Sequence, residues 1–259
     1  MIDCHAHLAD SSFDPDRAAV AARAREAGVE RVLVVAEDLA DARRVLAVCD
    51  DHAELLRACV GIHPDRFAEE REPPDAAELD GLAELARAHR ERVVAIGEVG
   101  LDRWLVKTDE RRALQAACLE RMAALAAELG VPLNVHSRSA GHHTIDLLAA
   151  CGARRVLMHA FDGKAGHAQR AFEEHGFLFS IPPSIVRSRQ KEKLVAALPL
   201  DALCLESDSP VLGPDREARN EPANLTHAVS AIARIKQVDE DRVREATTAN
   251  ARALFDRLD

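Results

Sequence analysis

The chain has no tyrosine, one tryptophan and seven phenylalanines, so aromatics make up only 3% of its 259 residues. Stacking on aromatic rings is a common grip on single-stranded nucleic acid, and this scarcity weighs against a broad aromatic binding face. None of the six cysteines (Cys4, Cys49, Cys59, Cys118, Cys151, Cys204) forms a C-x-x-C pair. That excludes a thiolate zinc knuckle and a disulfide framework. Most lie among apolar neighbours, as in RACVG and ALCLES, and read as buried thiols of a protein in the reducing cytoplasm. No apolar run approaches the length of a membrane span. No charged leader precedes an apolar run either, so the segment from Met1 reads as part of the mature fold. An excess of positive charge is also missing. With 34 Lys and Arg against 44 Asp and Glu, the net charge is −10. Bulk electrostatic coating of nucleic acid is thereby excluded, while a local basic rim or a phosphate-handling metal is not.

What the chain has is 47% apolar residues in a regular rhythm. Short runs rich in Val, Ile and Leu occur at 2–7, 31–37, 55–64, 93–100, 132–138, 155–161, 177–181 and 203–209. Each is nearly continuous rather than alternating, as expected of parallel strands covered on both faces. Helical patterns lie between them. The clearest spans Thr108 to Leu129, with Leu114, Cys118, Met122, Leu125 and Leu129 as its apolar stripe, Thr108 or Asp109 as cap and Gly130 as terminator. A second covers 14–29, with Pro15 early and Gly28 just past the end. Eight strands alternating with helices predict an α/β fold of the (β/α)8 TIM-barrel type. A doubly wound open sheet is the rival, but no Gly-rich phosphate loop follows the first strand. Without a linker or composition break, residues 1–259 read as a single domain.

Chemistry in such a barrel sits at the C-terminal ends of the strands. The sequence puts His5 and His7 there in strand 1, His63 at strand 3, Glu98 at strand 4, His136 at strand 5, His159 at strand 6 and Asp208 at strand 8. Because strand side chains alternate, His5 and His7 should share one face of strand 1, and Cys4 and Ala6 the other. Five of the twelve histidines thus fall at one rim. Polar groups inside apolar strands are costly to bury without partners, and a metal would partner all of them. Nitrogen and oxygen donors suit Zn, Mn, Fe or Ni better than Mg alone. Their number exceeds what one tetrahedral ion needs, which points to two ions about 3.5–4 Å apart with Glu98 as bridge. The other histidines have blander explanations. His52, His89 and His175 end helices, His167 and His227 are solvated helix residues, and His142 and His143 follow strand 5 near the rim.

The strings IDCHAH, GIHP, AIGEVGLD, NVHSR, MHAFDG, LESDSP and RNEP resemble, in order and spacing, the motifs of the TatD family of metal-dependent hydrolases. The resemblance spans nearly the whole chain, and it looks closest to the subgroup called TatD DNase domain-containing protein 3. It implies an amidohydrolase-like metal barrel with deoxyribonuclease activity, exonucleolytic or at abasic sites. Removal of D-amino acids from tRNA is a further activity linked to the family. By the same resemblance His5 and His7 bind one divalent metal, Glu98 bridges, and His136 and His159 bind the other. Asp208 touches the first metal and the nucleophilic water, and His63 lies near the scissile phosphate or its leaving oxygen. Departures occur in the loops that shape substrate choice: GLDRWLV, HAFDG and HSRSAG differ from the common family forms, as does SIPPS.

The expected reaction is phosphodiester hydrolysis of a DNA substrate, with Asp208 as base and Glu98 and His63 as further catalytic groups. Arg138, Lys164 and Arg219, with His63, are the candidates for holding the phosphate. The same site could instead cleave a carboxyl ester, a lactone, a small phosphoester or a D-aminoacyl-tRNA. A binding protein on an inactive barrel is the third class, disfavoured because every expected ligand is present. No membrane and no obligate protein partner are expected.

Overall fold

The computed structural model describes residues 1–258. Eight parallel strands, β1 (Ile2–Ala6), β2 (Arg31–Val35), β3 (Leu56–Val60), β4 (Val93–Gly100), β5 (Leu133–His136), β6 (Val156–Met158), β7 (Leu178–Ile181) and β8 (Leu203–Leu205), close into a barrel in sequence order. Among the described residues, nine α-helices surround it: α1 (Arg17–Glu26), α2 (Leu39–Asp51), α3 (Ala76–Ala88), α4 (Asp109–Leu129), α5 (Gly141–Ala150), α6 (Ala165–His175), α7 (Arg189–Ala197), α8 (Leu225–Lys236) and α9 (Glu240–Leu254). All eight expected runs contain a strand. Several strands are shorter than their runs, because the apolar character continues into the loops at the strands' C-terminal ends.

Two apolar layers follow from the alternation. Outward-facing strand residues such as Ala6, Val34, Val60 and Ile96 pack with the helices. Ile2, Cys4, Leu33, Val35, Cys59 and Cys204 form a separate inner cluster. Phe255 and Leu258, from the segment after α9, complete that cluster and plug the bottom of the barrel. The pairing of β1 with β2 slips between Asp3 and Ala6, so one extra residue sits on β1. Cys4 therefore joins the inner cluster while Ala6 packs outward, correcting the expectation that they share a face. The slip also lets His5 turn toward the barrel axis directly after Cys4.

The helix expected from Thr108 to Leu129 is α4. The Thr108 hydroxyl accepts from the Arg111 N–H, and Gly130 adopts a left-handed φ of 68°. Its buried stripe differs by one position, since Leu114 is exposed and Gln115 is buried. Gln115 Nε2 donates to Pro64 O at 2.9 Å, and its Oε1 accepts from Asp102 N at 3.1 Å. This amide clips together the loops that follow β3 and β4, a tertiary need that overrides the apolar pattern. The expected helix over 14–29 is shorter in the structure, beginning at Arg17 after a 3-10 turn at Ser11–Phe13. His52 and His89 are the C-caps of α2 and α3, and His175 ends α6.

Candidate metal centre

Glu98 is the hub of the site. It lies on β4, almost fully buried, and its backbone is pressed between two neighbours that cannot carry a side chain. A Cβ on Gly61 would come within 2.5 Å of Glu98 O, and one on Gly97 within 2.6 Å of the Asn134 side chain. Only glycine permits these approaches of β3 to β4 and of β4 to β5.

The two oxygens of Glu98 face different sets of imidazoles. Oε2 is 3.3 Å from both His5 Nε2 and His7 Nε2. Oε1 is 2.8 Å from His136 Nδ1, 2.9 Å from His159 Nε2 and 3.3 Å from His63 Nε2. Asp208 closes the first set, with Oδ1 at 3.6 Å from both His5 and His7. Its φ of 52° is left-handed, which aims the carboxylate across at β1. Backbone bonds hold it there: Asp208 N donates to His5 O at 2.9 Å, and His7 N to Ser209 O at 2.7 Å.

Each imidazole is aimed from behind. Asn134 Nδ2 donates to Cys4 O at 2.7 Å, which turns Asn134 Oδ1 toward His5 Nδ1 at 2.8 Å. His5 Nδ1 then carries the proton, and Nε2 presents its lone pair to the centre. His136 Nε2 meets Asp102 Oδ2 at 3.0 Å, and His159 Nδ1 lies 3.6 Å from Glu206 Oε2. Glu206 is fixed in turn by Ser180 Oγ at 2.5 Å and Ala160 N at 2.9 Å. Asp3 Oδ1 accepts from Ser207 N at 2.8 Å and ties β1 to the segment bearing Asp208; burial pushes its carboxyl up to about 8.

The electrostatics are those of a cage built around positive charge. Burial alone would push the Glu98 carboxyl up, but His63, His159 and His5 together hold it well below the usual range. Burial lowers His159, yet Glu98 and Glu206 raise it to about 10. Asp208 is shifted up, chiefly by burial, against the pull of His159, His5 and His7. Glu98 Oε2 is buried without a hydrogen-bond partner. A buried anion with an unused lone pair, facing imidazole nitrogens set to accept charge, fits a divalent cation.

The sequence-selected residues fall into two groups. His5, His7, His63, Glu98, His136, His159 and Asp208 converge on one cluster. Arg138 lines the cleft above it, a cavity of about 840 Å³ at the C-terminal ends of the strands. Lys164 and Arg219 do not reach that cleft. Lys164 is exposed at the start of α6, where its carbonyl accepts from His167 N. Arg219 pairs with Asp16 at 2.7 Å and lies over the Phe13 ring. Its RNEP motif is an anchor. Asn220 Nδ2 donates to Ser207 O at 2.6 Å and Val211 O at 2.7 Å, and Glu221 grips Arg23.

Sequence reasoning missed Asn134, Glu206 and Asp102, as well as the cleft-lining Lys191. Asn134 and Glu206 carried a signal, each being a polar residue in an apolar strand run two positions before a selected residue. Lys191 had none. It is on α7, and its ammonium donates to Ala160 O and Phe161 O, with burial pulling it down to about 8.

The family model described as TatD related DNase matches residues 2–256. The putative deoxyribonuclease TATDN3 of Mus musculus is 44% identical over 263 residues, covering 100% of this chain and 89% of its own. The human deoxyribonuclease TATDN3 is 40% identical, with 100% and 95% covered. Among solved structures, YJJV, a TatD homologue from Escherichia coli, superposes with a TM-score of 0.90 at 27% identity, covering 99% of this chain and 98% of that one.

Proposed function

Because this chain belongs to the TatD family of DNase-related metal-dependent hydrolases, we propose that it cleaves phosphodiester bonds of DNA at the Glu98 cluster. One observation carries the reading: the two oxygens of a single buried carboxylate serve two separate sets of imidazoles. His5, His7 and Asp208, with Glu98 Oε2, would hold one divalent ion. His136 and His159, with Glu98 Oε1, would hold a second. Zn, Mn, Fe, Ni or Mg bound there would acidify a water and offset the charge of a phosphate oxygen.

The chain's own groups do the rest. Asp208, on the cleft wall, takes the proton from the attacking water, a role helped by burial that raises its basicity. As the phosphorus–oxygen bond breaks, the leaving oxygen takes a proton from His63. That ring also lines the cleft and is steadied by Asp65, 2.9 Å from its Nδ1. Arg138 holds a non-bridging phosphate oxygen.

We read the chain as acting without an obligate protein partner. Five of its six cysteines are buried and all are unpaired, which suits a reducing cytoplasm. Among the described residues, no helix is long and apolar enough to cross a membrane.

The test is a labelled single-stranded oligodeoxynucleotide and a D-aminoacyl ester assayed side by side, with elemental analysis of the protein. Two ions per chain, oligonucleotide cleavage and its loss on chelation are expected. Asp208→Asn should keep the metals and lose about 10²–10⁴ in turnover, the worth of a positioned base. Ester cleavage alone, or an active Asp208→Asn, would sink the assignment.

A further inference from the structure

Trp104, the chain's only tryptophan, is 57% exposed in the loop between β4 and α4. Tryptophan is highly buried on average, and this one stands next to Leu105 and Arg138, which line the cleft. The loop itself is firmly held. Asp102 Oδ1 accepts the N–H groups of both Trp104 and Leu105 at 2.7 Å, while its Oδ2 meets His136 Nε2. One carboxylate therefore positions both the indole's loop and an imidazole of the Glu98 cluster.

Two cations lie against the ring. Lys107 Nζ and Arg138 Cζ are each 5.3 Å from its centroid, and Arg138 also lines the cleft. Arg103 and Arg112 stand in the same segment. Of the cations in 103–112, only Arg112 has a carboxylate within ion-pair distance among the described residues, Asp109 at 3.7 Å. On a chain of net charge −10, this is a local basic patch with two of its cations over one exposed indole, and both can pass from the ring to phosphates when a base takes the face.

We propose that Trp104 is a base-stacking platform for single-stranded nucleic acid, with Lys107 and Arg138 meeting the phosphates on either side of the stacked base. The inference rests on the phosphodiesterase reading and adds to it a subsite outside the metal-ligating cluster. An indole face accepts any base, and unpaired bases have free faces to offer. Bases inside a duplex are already stacked on each other and offer none. Arg138 spans ring and cleft, so a strand stacked on Trp104 is led into the cleft that holds the Glu98 cluster.

The lone tryptophan reports on its own occupancy. Holoenzyme is titrated with a phosphorothioate oligothymidylate, which resists cleavage, while indole emission is followed. Saturable quenching is expected, weakening as salt rises. A blunt duplex of equal length should quench far less. Trp104→Ala should raise KM for a single-stranded oligonucleotide about tenfold, with a smaller change in kcat. Relative to bis-p-nitrophenyl phosphate, kcat/KM for the oligonucleotide should fall by a similar factor, and Trp104→Phe should restore most of it. Unchanged emission, equal quenching by the duplex, or an unchanged KM in Trp104→Ala overturns the platform. If the wild-type protein cleaves neither substrate, the phosphodiesterase reading fails, and quenching still decides whether Trp104 binds strands.

Discussion

Three donors converge on the Asp102 carboxylate: two backbone N–H groups on Oδ1 and His136 Nε2 on Oδ2. Asparagine offers one acceptor oxygen where aspartate offers two. Asp102→Asn is therefore expected to keep the loop and release the imidazole. Removing such a supporting partner typically costs about 10–100-fold in metal affinity. Competition titration with a chromogenic chelator should find that loss confined to the ion proposed for the Oε1 side of Glu98. Loss of both ions would mean that His136 is not held independently of His5 and His7.

Between elements, the close approaches around Glu98 set the tolerance. Gly61→Ala would drive a methyl group to 2.5 Å from Glu98 O, and β3 and β4 would have to part. Overpacking of this kind costs about 1–3 kcal/mol. Calorimetry should show a lower Tm, and metal content should fall with it because the hub residue moves. Further along the chain, Glu69 ties the segment between β3 and α3 to the end of the Trp104 loop, where Thr108 caps α4. Its carboxylate accepts from Lys107 N at 2.8 Å and Thr108 N at 2.9 Å, and these backbone donors lower its pKa to about 2. A depressed carboxylate contributes above its unfolded value near 4.5, and the contribution is lost as pH falls through about 2. Glu69→Gln should therefore speed hydrogen exchange at the Lys107 and Thr108 amides at pH 6, with the difference from wild type shrinking between pH 4.5 and 2.

For the whole molecule, the barrel depends on a segment remote in sequence from its first strand. Phe255 is buried among Ile2, Leu33 and other inner residues at the barrel's base. Phe255→Ala should destabilise the fold by about 3–5 kcal/mol, read from urea unfolding. The Glu98 cluster lies at the opposite end, so metal stoichiometry in the folded fraction should be retained. A large stability loss with retained metal would separate the two ends of the barrel as independent functional layers.

Much of this was legible in the residues. The apolar rhythm marked eight strands because parallel strands bury both faces, and it placed His5, His7, His63, Glu98, His136, His159 and Asp208 at one rim. Local pattern also marked α4, since capping by Thr108 and termination at Gly130 are short-range effects. Other features depend on neighbours far away in the chain. The slip in β1 that sends Cys4 inward arises from pairing with β2. Gln115 is buried because two loops need its amide, and Arg219 turns from the cleft because Asp16 is its partner. The sequence by itself determined which side chains could ligate, through residue type and strand periodicity. Tertiary structure alone decided which carboxylate oxygen faces which imidazole, because those distances are set by strand register and barrel closure, and no local pattern encodes them.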